Sequence, residues 1–497
     1  VADYDTIVIG AGNGGLTAAA TLAKAGLKVL LLERHNIPGG CATSFLRGRF
    51  EFEVALHQLS GMGTEEMPGP LRLCLKDLDV LKKIAFVEME HLYRIVFLDH
   101  LDMTLTTKRA EIVKELQDRF PSEKVAIAKF FDLVYAFANQ LIGIVYMKDP
   151  AASKEKYPLY FKYALKSSQE VLDEFFEDPL LKAVLGAYWG YMGLPPSLLS
   201  FDNLAILLFA YSEFKPFHIK GGSQALSNAL VDSFLENGGE VRFNCGVKEI
   251  LIKDGKVTGV ITEEGDEIST DHVVSNAGLL TTYIELIDRK HVPEAQLKAL
   301  GGRTIGTSAF TIFTGLDCEP SDVGIEETTN FICSSIDAEK AFSLTKTLEA
   351  PQMLLLTCYD VSDPDFSPPG TCQTATVALG YADPWLNIPP SQYADTKYQY
   401  AQAMLDLTER IFPEYRGHIE EIELASPITH LRFLGHPGGA IYGFDQYAKD
   451  SRLFASSESP IKGLFFAGAW VAGGGFQPTL MSGASAARAV LKEIGNR

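Results

Sequence analysis

Glycines 10, 12 and 15, with Asn13 and Gly14 between the last two, make a Gly-x-Gly-x-x-Gly spacing, and Glu33 follows twenty-one residues after Gly12. These residue types suit a dinucleotide. Gly10 permits a tight turn, Gly12 lets the backbone approach a pyrophosphate, and Gly15 lets a helix pack close to a strand. A carboxylate at Glu33 is placed to accept hydrogen bonds from a ribose 2′-hydroxyl. A second glycine-rich stretch runs from Gly468 and Ala469 through Gly473, Gly474 and Gly475 to Gln477, Thr479, Leu480, Met481 and Gly483. A helix starting there would turn free N–H groups towards an anion. Two further side chains have proton chemistry: the His57 imidazole, able to orient substrate or carry a proton, and the Tyr442 phenol, able to act as an acid. For each the competing reading is an ordinary packed residue.

Such glycines work only between a strand and a helix. Residues 6–9 are apolar and β-branched, as in a buried parallel strand, residues 17–25 are Ala-rich and helical, and residues 29–32 form the next strand. A helix is predicted over 224–235 and strands over 240–243, 247–252 and 257–262, with Asp254-Gly255 as a type I′ turn. The run 271–278, containing Asn276 and Ala277, closes that block. Near the end, 464–470 reads as a short buried strand ending in glycine, followed by an Ala-rich helix to Leu491. Elsewhere the pattern predicts β-like stretches at 93–98 and 103–107, a helix over 109–120 and helical material over 123–213. Strands follow at 310–316, 353–359 and 374–379, then a helix over 392–411.

The fingerprint alone does not separate NAD from FAD. The next residues, Arg34 to Thr43, bring Pro38, Gly39, Gly40 and Cys41 just past Glu33. This resembles the two-dinucleotide-binding-domain flavoproteins of the amine-oxidase and phytoene-desaturase type. With Phe50 to His57 the likeness is nearest to bacterial phytoene desaturases, carotenoid isomerases and retinol saturases. The resemblance implies an α/β fold: a Rossmann-like FAD-binding domain with an inserted α+β substrate domain. It divides the chain into FAD segments 1–75, 215–289 and 421–497 and substrate segments 76–214 and 290–420. It implies FAD contacts from Arg34, Gly39, Gly40 and Cys41, from the backbone of Val247 at the adenine, and from Asn276 and Ala277 under the diphosphate. Gly468, Ala469, Gln477, Thr479, Leu480 and Met481 would serve the flavin. Relatives often carry an acidic residue where this chain has Ala469.

The chain has 497 residues, 46% apolar and 22% charged, enough for two or three well-packed domains. A net charge of −19 argues against nucleic acid and against strong attraction to anionic membranes, but leaves apolar docking to a membrane open. Residues 130–147 are apolar yet contain Asp132, Asn139 and Gln140, which favours a buried or lipid-facing amphipathic helix over a spanning one. Seven scattered cysteines without a Cys-x-x-Cys pair suggest a reducing, cytoplasmic setting. The first strand begins by Asp5, with no room for a signal peptide before it. No metal is expected, because His and Cys show no ligand spacing.

The expected function is an FAD-dependent oxidoreductase acting on carbon–carbon bonds of a hydrophobic unsaturated substrate: a carotenoid, retinoid, other isoprenoid or lipid. Desaturation, saturation and isomerisation all remain open. So do the electron partner (nicotinamide, quinone or oxygen) and the oligomeric state. The alternatives are an amine oxidase, with Trp470 and Tyr442 imitating an aromatic cage, and a prenyl-binding protein of the GDP-dissociation-inhibitor type without redox activity. The latter group has a degraded fingerprint, and here it is intact.

Overall fold

A computed structural model describes residues 2–55, 58–448 and 459–495. Strand Thr6–Ile9 is buried along its whole length and lies between two parallel neighbours, Val29–Leu32 and Val273–Ser275. Leu464–Phe466 extends the sheet on one side and Glu240–Arg242 on the other, so five parallel strands come from three distant stretches of chain. Helices Asn13–Lys24, Gly222–Glu236 and Phe476–Gly495 cover it. Burial on both faces explains why these strands read as unbroken apolar runs.

A second sheet has seven strands, in the order Ile419–Ala425, Ser308–Leu316, Cys372–Gly380, Met353–Thr357, Thr329–Cys333, His91–Phe97 and Leu101–Thr106. Its pairs are antiparallel except Thr329–Cys333 with His91–Phe97, which is parallel. One face packs against a helical layer that includes Lys124–Leu141, Pro179–Gly186 and Phe201–Phe214. The other packs beneath Pro390–Glu409.

Turn chemistry at Asp254-Gly255 is as predicted: both residues take positive φ, +50° and +73°, between paired strands Val247–Lys253 and Lys256–Thr262. Three expectations shift. The first helix starts at Asn13 rather than at residue 17, so Gly14 and Gly15 lie in its first turn. The strand over 464–470 ends at Phe466, because Gly468 turns the chain at φ +93° and Ala469–Ala472 coils into one helical turn. Strand Thr329–Cys333 was not anticipated; five residues, two of them polar, give little alternation to detect.

Candidate functional site

The glycine fingerprint folds into a cradle with no room for side chains. A methyl group on Gly15 would lie 1.9 Å from the Gly10 carbonyl oxygen, and one on Gly14 would lie 2.6 Å from the Gly468 nitrogen. Gly12 faces Gly40, whose added methyl would lie 3.3 Å from the Gly12 Cα, and the Gly39 N–H donates to the Ala11 carbonyl at 2.8 Å. Asn276 reaches into the middle. Its side-chain atoms lie 2.5–2.8 Å from where methyls on Gly12, Gly14 and Gly468 would stand. The first helix has no side-chain cap, so its leading N–H groups open onto this cradle. The buried Asn13 Oδ1 at the helix start has no protein partner. An uncapped helix start, a glycine lining into which Asn276 reaches and an unpartnered buried amide fit an extended diphosphate.

Glu33 is buried at the end of the second strand. Its Oε2 accepts the Ala11 N–H at 2.6 Å and its Oε1 accepts the His35 N–H at 2.8 Å, which leaves the second lone pair of each oxygen for a hydroxyl. Val247 begins its strand two residues after Cys245, whose N–H bonds the Glu33 carbonyl, and so lies on the same side. Ala277 follows Asn276 at the end of the neighbouring strand. Cys41, past the Gly39-Gly40 turn, has its thiol pushed up to about 11 by burial. Arg34 is not drawn into the cradle: its guanidinium donates to the Phe433 carbonyl at 3.3 Å, at the end of helix Pro427–Leu434.

The second glycine-rich stretch needs a correction. The C-terminal helix begins at Phe476, three residues before Thr479, so Thr479, Leu480 and Met481 already lie within it. The Thr479 hydroxyl donates to the Gly475 carbonyl at 2.7 Å, and Leu480 is fully buried in the core. Their N–H groups belong to the helix ladder. Among the three residues opening the helix Pro478 has no N–H, so the N–H groups there are those of Phe476 and Gln477; the Gln477 side chain accepts from Ser60 Oγ at 2.7 Å. Gly468 spends its N–H on Ser482 Oγ at 2.8 Å, and Ala469 offers no side-chain contact in place of the absent acid.

Tyr442 is half-buried and its ring lies over Gly474, where a methyl would come within 2.1 Å of Cδ1. Burial, then the nearby Cys41 thiol, raises its phenol well above the ordinary range, so it is a held proton and not a base at neutral pH. Trp470, the other expected ring of a cage, packs against other groups. It is buried behind Gly278, edge-on to Phe444 at 4.9 Å and to His436 at 5.6 Å. His57 lies outside the described residues. On either side of it, the Tyr359 phenol donates to the Ala55 carbonyl at 3.3 Å and the Tyr211 phenol to the Gln58 carbonyl at 2.9 Å.

Tyr211 belongs to a wall of rings that single-residue reading missed. Tyr188 stacks on Tyr211 at 5.5 Å and meets Tyr93 edge-on at 5.0 Å; Tyr93 stacks on Phe331 at 4.6 Å, and Tyr191 meets Phe331 at 5.4 Å. Burial raises all four phenols, and Tyr191 and Tyr211 are raised further by Tyr442. Glu53 was also missed. It is buried at the end of strand Phe50–Glu53, where burial lifts its carboxyl to about 7 against hydrogen bonds from Ser223 and Ala55. Neither left a sequence signal beyond an apolar or alternating run. Against the expectation of no metal, the side chains of Asp317, Cys318 and His418 approach within 4.8 Å of one another, but the His418–Asp317 pair, at 2.8 Å, is open to solvent and satisfies itself.

The profile of the flavin containing amine oxidoreductase family matches residues 14–491. All-trans-retinol 13,14-reductase of Danio rerio is 25% identical over 505 residues, covering 94% of this chain and 82% of the fish protein. Chloroplastic prolycopene isomerase 1 of an Oncidium hybrid cultivar is 26% identical over 463 residues, covering 89% of this chain and 75% of the plant protein. Among solved structures, an oxidoreductase from Methanosarcina mazei superposes with a TM-score of 0.65 at 19% identity, over 98% of this chain and 99% of that one, a likeness of fold.

Proposed function

This chain belongs to the flavin containing amine oxidoreductase family and uses FAD, and from that premise we propose that it desaturates, saturates or isomerises carbon–carbon bonds of a lipophilic, unsaturated substrate. The supporting observation is the ring wall of Tyr93, Tyr188, Tyr191, Tyr211 and Phe331, extending to Tyr442. Tyr191 and Tyr442, the partly exposed rings, offer a flat polyene a dispersion contact that asks for no charge, and the buried Tyr93, Tyr188, Tyr211 and Phe331 pack behind them. The similarity to a retinol reductase and a prolycopene isomerase supports the same substrate class.

In this reading the Gly10–Gly15 cradle and the start of the first helix hold the diphosphate, Glu33 the ribose, and the Gln477 N–H the flavin end. When bound, FAD supplies two-electron exchange with a carbon–carbon bond. The protein's part is to keep water out, to lay the substrate along the rings and to present a proton. Tyr442 stays protonated at neutral pH and so gives a proton from its phenol oxygen, the part of the chemistry that saturation or isomerisation needs. Amine oxidation is the weaker reading, because Trp470 packs behind Gly278 and edge-on to Phe444 and His436.

Anaerobic incubation of the yellow, oxidised protein and of its dithionite-reduced form with a panel of polyenes and of amines tests this, following flavin absorbance and product mass together. A polyene product two hydrogens heavier or lighter, or of equal mass and altered geometry, is expected, and it identifies the reaction. Flavin bleached by an amine and by no polyene would sink the proposal. Tyr442→Phe should lower turnover by about 10²-fold or more with flavin content unchanged.

A further inference from the structure

Helix Lys124–Leu141 runs on into a wider turn, Ile142–Tyr146, and the chain then folds back as helix Pro158–Tyr163. The two pieces make one lobe. Gln140 Oε1 accepts the N–H groups of Leu159 and Tyr160 at 3.0 and 3.1 Å, Tyr157 packs over Gly143, and the Tyr157 phenol donates to Asp149 at 2.6 Å. From the outside of this lobe project Tyr146, 50% exposed, Met147, 76%, Phe161, 40%, and Leu165, 55%. Four large apolar side chains open to water within twenty residues form a patch, whereas singly scattered ones need no explanation.

The same segment has the opposite charge to the rest of the molecule. Residues 142–166 contain Lys148, Lys154, Lys156, Lys162 and Lys166 against Asp149 and Glu155, a net of +3 in a chain of net −19. Lysines amid exposed apolar side chains are unlike the core of a protein–protein interface, from which lysine is depleted. They match an interfacial segment, in which the apolar groups enter the acyl boundary and the ammonium groups reach the lipid phosphates.

The stretch Pro121–Tyr146 is long and apolar enough to cross a bilayer, but its apolar face is committed inside the protein. Phe130 packs against Phe175, Phe176 and Phe201, and Phe137 against Tyr160 and Phe201. What remains for lipid is its end. Ile142, Ile144 and Val145 pack on the same apolar core as Tyr191 and Ile441, so apolar side chains run without a break from the lobe to the neighbours of Tyr442.

We propose that the lobe of residues 142–166 docks this protein onto an anionic lipid bilayer, with Tyr146, Met147, Phe161 and Leu165 inserted at the acyl boundary and the five lysines at the headgroups. The docking rests on the patch itself. Delivery of substrate from the bilayer along the apolar core rests in addition on the function proposed above.

Flotation of the FAD-loaded protein with phosphatidylcholine vesicles, with and without 30% phosphatidylserine by design, tests this. Binding to the serine-containing vesicles is expected. It should fall about tenfold or more in a Tyr146→Ser, Met147→Ser double variant, and about fivefold for each of Lys148→Gln and Lys154→Gln. Leu165→Ser gives an independent check on the apolar part. Flavin absorbance and melting temperature should not change in any of these, which separates lost docking from lost fold. Absence of binding to serine-containing vesicles overturns the proposal, as does equal binding by all variants. A dimer in solution that the same substitutions dissociate, without vesicle binding, would assign the patch to a second copy and overturn it too.

Discussion

Glu53 combines a buried carboxyl with three donors: the N–H and hydroxyl of Ser223 and the N–H of Ala55. Burial outweighs the donors and holds the group near 7, above its ordinary 4.5. The folded chain therefore keeps a proton there that the unfolded chain has already lost. Between those two values the native state binds more protons, so stability falls as pH rises from 4.5 to 7 and levels off above. The full effect is on the order of 3 kcal/mol. Glutamine copies the protonated form, accepting from the Ser223 N–H and donating to its hydroxyl, at the cost of the Ala55 contact. Glu53→Gln should thus add about 2 kcal/mol at pH 8 and almost nothing at pH 5. Urea unfolding at the two pH values checks this, and an equal shift at both would show that Glu53 is already ionised.

The glycine turns behave differently, because there the constraint lies in the backbone. Gly14→Ala would drive a methyl to 2.6 Å from the Gly468 nitrogen, in a helix turn that cannot slide away from the C-terminal helix because Gly483 packs on the Gly14 carbonyl. The variant should lose about 1–3 kcal/mol of stability and most of its flavin, read as the 450-to-280 nm absorbance ratio. This contrast explains what was legible in the sequence. Gly10, Gly12, Gly15 and Glu33 are required one residue at a time by local geometry, so the order of types along the chain carries the message. The ring wall is assembled from residues 93, 188, 191, 211 and 331, each of which alone resembles any core aromatic. The C-terminal glycines misled by three residues, because the helix start is set by Gly475 and Pro478 and not by the later Gly483.

At the scale of the molecule, the sheet that carries the fingerprint is not local to it. Its strands come from residues 6–32, 240–275 and 464–466, and the first helix packs on the C-terminal one. A chain ending at residue 460 keeps every residue of the Gly10–Gly15 turn but lacks Gly468 and Gln477; it should bind no FAD, as equilibrium dialysis would show. For the full chain, FAD at a hundredfold over its Kd should add about 2.7 kcal/mol to unfolding free energy. Its melting temperature should therefore climb with added flavin, and a flat response would mean that the cradle does not form the binding site.

The distant origin of that last strand also sets a timetable. During synthesis, at roughly 5–20 residues per second, the Thr6–Ile9 and Val29–Leu32 pair leaves the ribosome on the order of a minute before Leu464–Phe466 arrives. Through that interval the sheet waits without its edge strand beside Val273–Ser275 and without helix Phe476–Gly495, which packs on the first helix. The cofactor site thus closes only once Leu464–Phe466 and the helix after it have emerged, and the Thr6–Ile9 and Val29–Leu32 pair must be sheltered until then.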